Sequence, residues 1–273
     1  MSAVPETELH IGDMRYRVNV ASGIDLSIPL EFGGPQPSHF GAPPATAAPL
    51  ESGGFVGDTR LGGSCNCRTL TLVPHCNGTH TECLAHISDE PSSVAALATR
   101  PLYAALLVSV EPEPATSGSE STHPDPEPGD TLITRAALAA AGLGAGPAEA
   151  LVVRTLPNLP EKRVRNWSSG PVPPYFSKEA MSAIVAAGID HLLVDTPSID
   201  RTHDQGCLTT HRIFWGMTEG VQRPAARHGA TVTEMIYVPA SVPDGLYALA
   251  IHLPPFVTDA APSRPLLYPL EPA

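Results

Sequence analysis

The chain has 273 residues, a formal net charge of −12 and a charged fraction of only 16%, and this length suits one large domain over 1–273. The acidic balance excludes nucleic acid as the main partner, because phosphate binding needs clustered Lys and Arg. No apolar run reaches the roughly 20 residues of a membrane span. Residues 1–20 also lack the apolar core of a secretory signal, so we expect a cytoplasmic protein without a membrane partner.

The first predicted elements are two short strands, at 15–20 and 24–30. The following segment, 33–54, is rich in Gly, Pro and Ala and predicts a long ordered loop. Such a loop is either a lid or partner-contacting arm, or a plain surface excursion. Residues 69–73 alternate between apolar and polar side chains and predict a strand that leads into a polar cluster.

This cluster runs from His75 to His86 and has the sequence HCNGTHTECLAH. In an extended backbone, alternate residues from His80 onward project to the same side, which brings Glu82 and His86 toward His80. Imidazole and carboxylate ligands suit zinc or manganese, and Gly78 allows a tight turn beside an ion. The cluster alone is compatible with structural zinc, a catalytic metal site or an accidental group of polar residues.

The middle of the chain predicts one buried strand and one solvated loop. The near-continuous apolar run at 102–110 is typical of a strand that is buried on both faces. Residues 111–130 are acidic and Pro-rich and cannot pack a core, which predicts a solvated loop.

The second half predicts alternating helices and strands. The helices are 134–141, ended by Gly142, and a helix capped by Ser177 that runs to about 187 and is ended by Gly188. The strands are 150–154, 189–194, 231–238 and 246–253. This succession favours an α/β fold with a mixed or partly parallel sheet that is covered by helices.

The five cysteines do not predict a disulfide framework, because their number is odd and four of them crowd around the histidine cluster. These four are Cys65, Cys67, Cys76 and Cys83. A structural zinc site made from them is a weaker alternative.

Five blocks of this sequence resemble the metal-dependent cyclase family, which includes bacterial kynurenine formamidases and isatin hydrolases. In the first half, IDLSIPL at 24–30 is similar to Asp-Leu-Ser-His-Pro-Leu, and Gly78-Thr79-His80 with Glu82 and His86 is similar to His-x-Gly-Thr-His-x-Asp-x-Pro-x-His. In the second half, DTPSID at 195–200 is similar to Asp-Thr-Pro-Ser-x-Asp, and HRIFW at 211–215 is similar to His-Lys-x-Leu-Leu. The last block, ATVTEM at 230–235, is similar to the strand with the family's bridging glutamate. The blocks keep the family's order and span most of residues 20–255.

The resemblance implies a swivelling β/β/α architecture with a barrel-like core, a small-molecule amide substrate, and a homo-oligomer (a dimer or a tetramer). It implies one or two divalent ions, zinc or manganese, with His80, Glu82, His211 and Glu234 among the ligands. It implies that His86 is the catalytic proton shuttle outside the ligand shell. An independent argument supports Glu234, because an ionised carboxylate in an apolar strand is costly unless it is paired or binds a metal.

Three departures from the signature leave details of the site open. By strict spacing, the first histidine of the signature is replaced by Cys76, while His75 stands one residue earlier. Glu82 replaces the usual aspartate and Leu84 the usual proline, so the number of ions is open. We favour His75 as the missing ligand, because hydrolytic metal sites prefer nitrogen and oxygen ligands, and keep Cys76 as the alternative.

Other polar residues have weaker assignments. Asp195, Ser198 and Asp200 either cap turns or shape a substrate pocket. The remaining histidines lack a motif and are treated as surface or core residues: His10, His39, His123, His191, His203, His228 and His252.

The function implied by the resemblance is a metal-dependent amidohydrolase that uses a metal-activated water. Its expected substrate is an aryl formamide such as N-formylkynurenine, cleaved to kynurenine and formate. One alternative is an enzyme of the same fold that opens an isatin-like lactam. Another is a metal-binding protein whose catalytic centre has decayed, although the presence of the whole His/Glu set argues against decay.

Overall fold

The computed structural model describes residues 7–116, 120–217 and 226–273. Its strands are β1 Thr7–Ile11, β2 Met14–Val18, β3 Ile24–Asp25, β4 Thr46–Pro49, β5 Glu51–Ser52, β6 Phe55–Val56, β7 Arg68–Thr71, β8 His80–Glu82, β9 Tyr103–Val110, β10 Glu113–Pro114, β11 Thr131–Ile133, β12 Ala150–Thr155, β13 Tyr175–Phe176, β14 His191–Val194, β15 Thr231–Glu234, β16 Gly245–His252, β17 Ala260–Pro262 and β18 Arg264–Pro272. The α-helices are α1 Arg135–Ala140, α2 Lys178–Ala186 and α3 Thr209–Trp215, and short 3₁₀ turns occupy Thr59–Leu61, Leu84–His86, Val94–Ala96 and Pro160–Val164. None of the helices in these ranges is long and apolar enough to cross a membrane.

The main sheet has eleven strands in the order β1-β2-β18-β16-β9-β12-β14-β15-β8-β17, with β3 paired to β18. The central strands β9, β12, β14 and β15 are parallel to one another, and the outer strands pair antiparallel. The predicted α/β fold with a mixed sheet is confirmed. Strand β8, which carries the polar cluster, lies between β15 and β17.

The central strands are buried on both faces, because successive side chains point to opposite sides of the sheet. On β12, Leu151 and Val153 pack in one cluster with residues of all three helices. Ala150 and Val152 pack in a second cluster on the opposite face, together with residues of β9 and β16. The near-continuous apolar runs in the sequence therefore reflect burial on two sides.

The predicted helices 134–141 and 177–187 are present and begin as expected. The side chain of Thr134 accepts the backbone N–H of Ala137, and that of Ser177 accepts the N–H of Ala180, so each caps its helix. The chain leaves α2 through Gly188, which has a φ of +78°. The buried strand predicted at 102–110 is β9.

Several predicted boundaries are wrong for local reasons. The strand expected at 24–30 ends at Asp25, whose carboxylate accepts the N–H and the hydroxyl of Ser27 and turns the chain. The strand expected at 231–238 ends at Glu234, because Met235 has a φ of +52°. The predicted loop 33–54 contains β4 and β5.

The acidic segment 111–130 is only partly a solvated loop. It contains β10, and its last residue, Asp130, is buried, where it accepts hydrogen bonds from Arg201 Nε at 2.7 Å and the Tyr175 hydroxyl at 2.9 Å. Residues 117–119 of this segment lie outside the described residues.

Candidate metal centre

Near one edge of the main sheet, strands β8 and β15 bring together three of the predicted site residues, His80, Glu82 and Glu234. Strands β8 and β15 pair in a register that places His80 opposite Glu234, and directly opposed residues have neighbouring side chains on one face. His80 Nε2 lies 3.4 Å from Glu234 Oε2. Glu82, two residues along β8, is fully buried on the same side, as the alternation of side chains requires.

Helix α3 adds His211 to this group. The Asp200 carboxylate accepts the His211 Nδ1 proton at 2.6 Å, and His211 Nε2 lies 2.9 Å from Glu82 Oε1. Burial alone would lower the pKa of His211, but the carboxylates of Glu82 and Asp200 raise it well above its ordinary value. A site that favours a positive charge between two acids also suits a cation.

A second group surrounds the other oxygen of Glu82. Glu82 Oε2 lies 3.0 Å from His75 Nδ1 and 3.7 Å from His86 Nε2. Both imidazoles also face Asp259 Oδ2, at 2.8 Å from His75 Nε2 and 3.6 Å from His86 Nδ1, and their rings stack at 4.3 Å. Burial would lower the pKa of His75, but Glu82 and Asp259 raise it to about 9.

The donor atoms fit a divalent metal ion. Two sets in the described residues have ligand atoms within 4.8 Å of one another: His80 with Glu82 and Glu234, and His75 with Glu82 and His86. His80 Nε2 is buried without a hydrogen-bond partner among the described residues. Such an orphaned atom is costly unless it binds something, and imidazole and carboxylate are ligands of zinc and manganese.

The remaining predicted site residues lie in different surroundings. The Cys76 thiol belongs to neither set within the described ranges, and burial, with a contribution from Glu234, raises its pKa. Asp195 is buried against Thr155 and accepts a hydrogen bond from Lys162 Nζ at 2.8 Å, so it ties the Pro160–Val164 turn to the sheet. Ser198 Oγ accepts the N–H of Asp200 at 3.2 Å.

The cysteine alternative finds no support in the described residues. Cys65 and Cys67 are exposed, whereas Cys76 and Cys83 are buried. Neither three-residue set includes a thiol.

Sequence reasoning missed Asp259, which follows no motif and contacts two histidines of the cluster only through the pairing of β17 with β8. It also missed α3, whose N-cap residue, Leu208, has a φ of +46° and makes no side-chain cap. No capping signal in the sequence marks the start of that helix.

The family model described as "Putative cyclase" matches residues 24–201. No curated protein matches this sequence.

Solved structures share the fold along nearly the whole chain. A "predicted metal-dependent hydrolase" from Bacillus stearothermophilus is 15% identical with a TM-score of 0.58, covering 90% of this chain and 98% of that one. Isatin hydrolase A from Labrenzia aggregata is 16% identical with a TM-score of 0.60, covering 91% and 95%. Isatin hydrolase A from Ralstonia solanacearum is 16% identical with a TM-score of 0.58, covering 90% and 91%.

Proposed function

Since the chain belongs to the cyclase family, we propose that it is a divalent-metal-dependent hydrolase of aryl amides, with N-formylkynurenine as the favoured substrate. The observation that carries this proposal is the meeting of the buried side chains His80, Glu82, His211 and Glu234, in which His80 Nε2 has no hydrogen-bond partner among the described residues. Four buried polar side chains from β8, β15 and α3 would be costly in a site that binds no cation.

The residues that would hold the ion are His75, His80, Glu82, His211 and Glu234, with Cys76 as the alternative to His75. A divalent cation in this set would lower the pKa of a water molecule toward 7 and polarise a substrate carbonyl. Asp200 supports the set by holding the His211 ring through Nδ1, which is the usual outer partner of a histidine ligand.

His86 is suited to move the proton. Its side chain is 25% exposed, so substrate can reach it, whereas His80 is fully buried. Burial lowers the pKa of His86, so the ring is neutral near pH 7 and accepts a proton from the attacking water. The ring lies between two carboxylates, with Nδ1 3.6 Å from Asp259 Oδ2 and Nε2 3.7 Å from Glu82 Oε2, and His86 then returns the proton to the leaving nitrogen.

A second candidate reaction is the opening of an isatin-like lactam. The similarity in fold to two isatin hydrolases supports it, and the same groups would serve, since a lactam is also an amide. The two candidates differ only in the substrate that the pocket accepts.

The test is hydrolysis by protein with measured metal content, using N-formylkynurenine and isatin in parallel. Turnover of N-formylkynurenine with the higher kcat/KM supports the formamidase proposal, and a preference for isatin supports the lactam alternative. Stoichiometric metal with no hydrolysis of formamides, lactams or esters would refute both and leave a metal-binding protein.

A further inference from the structure

Two buried nitrogen-bearing side chains beside the candidate metal centre have no role in the proposed chemistry. Both ring nitrogens of His39, and Nε1 of Trp167, are buried without a hydrogen-bond partner among the described residues. His39 is 0% exposed and Trp167 is 4% exposed. Buried polar groups are nearly always hydrogen-bonded in native proteins, so unpartnered ones need an explanation such as a ligand.

The backbones of His39 and Trp167 are neighbours, and their side chains point to the same side. An isolated parallel bridge pairs Ser38 with Asn166, and the N–H of Trp167 donates to the carbonyl of Ser38 at 2.8 Å. In an extended chain, successive side chains point to opposite sides. His39 follows Ser38 and Trp167 follows Asn166, so the side chains of His39 and Trp167 both point inward. Their burial agrees with this, since Asn166 is exposed and Ser38 is only half-buried.

This bridge lies against the turn that leads into the metal cluster. The N–H of His39 donates to the carbonyl of Cys76 at 3.1 Å, and Pro37 is 3.8 Å from the position that a Cβ on Gly78 would take. The buried His39 ring has no hydrogen-bond partner among the described residues. One of its ring nitrogens can therefore donate a hydrogen bond to a ligand next to the site.

The surroundings favour an anionic ligand on an aromatic ring. The Arg165 guanidinium stacks 4.4 Å from the centre of the Trp167 ring, and it pairs with no acid in the described part of the chain. Phe40, which is 58% exposed, contacts the His39 ring at 4.0 Å between centroids. The group thus combines two N–H donors and a positive charge with an apolar surface.

We propose that His39, Trp167 and Arg165 form a subsite for the carboxylate of an aryl substrate. This inference rests on the proposed function, because it places the substrate's amide at the metal centre and its carboxylate against the indole N–H. Because both nitrogen groups are closed to solvent, the loop around Phe40 and Gly41 has to move when the ligand enters. Gly41, held by a hydrogen bond from its N–H to Ser168 Oγ at 2.8 Å, marks the contact that opens.

The test compares two matched probes, 2-aminobenzoate and 2-aminobenzamide, which differ in the charge of one group. Calorimetry on metal-loaded protein should show that Trp167→Phe lowers the affinity for 2-aminobenzoate by at least about tenfold, since a hydrogen bond to a charged group is lost. The same substitution should change 2-aminobenzamide binding less than about threefold. Arg165→Gln should reproduce this difference. Unchanged 2-aminobenzoate affinity in both variants would overturn the subsite, and would be the result if the carboxylate bound the metal instead.

A stability control separates ligand binding from a structural role. Trp215 Nε1 donates to the carbonyl of Ala230 at 3.0 Å, so Trp215→Phe leaves a buried acceptor unpaired and should lower the Tm. Trp167→Phe removes a donor that has no partner in the described residues, so it should lower the Tm less. An equal or larger loss for Trp167→Phe would mean that its N–H is structural, and would overturn the inference.

The outcomes for the two proposals are distinguishable. If no amide is hydrolysed but 2-aminobenzoate affinity still depends on Trp167 and Arg165, the subsite stands and the proposed function fails. If N-formylkynurenine is hydrolysed and Trp167→Phe leaves both its KM and the probe affinity unchanged, the proposed function stands and the subsite fails.

Discussion

Replacing Glu234 with Gln removes one negative charge from the candidate metal centre and keeps the shape of the side chain. Glu234 Oε1 accepts the N–H of Ile199 at 2.9 Å, and the Gln carbonyl oxygen can accept the same bond. The other oxygen lies 3.4 Å from His80 Nε2, which has no hydrogen-bond partner among the described residues. The substitution therefore alters the charge of the site while the β15 backbone is retained.

The expected loss of metal affinity is large. Changing an outer partner of a ligand costs 10–100-fold in affinity, so removing a ligand carboxylate should cost at least on the order of 100-fold, or about 2.8 kcal/mol. Zinc should raise the Tm of the wild-type protein, because it binds only the folded state, and this gain should be lost in Glu234→Gln. Without metal, the Tm of the variant should differ little from that of the wild type. The substitution relieves repulsion between the Glu82 and Glu234 carboxylates, but it also removes an attraction to His211, whose Nε2 lies 3.7 Å from Glu234 Oε1.

The assay is titration of zinc or manganese into chelator-treated protein by calorimetry, paired with thermal unfolding with and without metal. Glu149→Gln is the matched control, because Glu149 pairs with Arg100 and belongs to neither ligand set. Wild-type metal affinity in Glu234→Gln would refute the assignment of Glu234 as a ligand and the charge argument behind it.

Three further predictions concern neighbouring residues. His86→Ala should lower turnover by about 10²–10⁴-fold, the usual contribution of general acid–base catalysis, while metal content measured by elemental analysis stays near the wild-type level. A loss of bound metal as large as in a His80→Ala control would show that His86 is a ligand. Cys76→Ser should leave metal content and activity largely intact, whereas His75→Ala should lower both. The reverse pattern, together with protection of Cys76 from alkylation when metal is bound, would identify a thiolate ligand. Asp259→Asn should lower kcat more than it changes KM, because its carboxylate faces His86 at 3.6 Å and pairs with His75 at 2.8 Å. A change confined to KM would contradict that role.

The sequence predicted the centre of the fold better than its edges, for reasons visible in particular residues. Strand β9 and the two capped helices carry strong local signals, a continuous apolar run and the Ser177 and Thr134 caps. Strand β18 alternates weakly and contains three prolines, so its place in the sheet depends on pairing with β16. Pairing between distant segments leaves little trace in local periodicity.

The same distinction holds for the candidate site. His80 and Glu82 could be placed on one face because they are two residues apart, and Glu234 stood out as an acid in an apolar strand. Asp259 and Trp167 could not be found in this way, since only the tertiary fold brings them to His75 and His39. No motif surrounds His39 in the sequence, and its burial without ring partners in the described residues is a property of the fold.

Hydrolysis of an aryl amide with a divalent metal held by the His/Glu set is tested most directly by one measurement. This measurement is the rate of N-formylkynurenine hydrolysis before chelation, after removal of metal, and after zinc or manganese is restored. We expect turnover that disappears with the metal and returns when about one or two ions per chain are bound again. Hydrolysis that persists in fully chelated protein, or fully loaded protein that hydrolyses no amide, would contradict it.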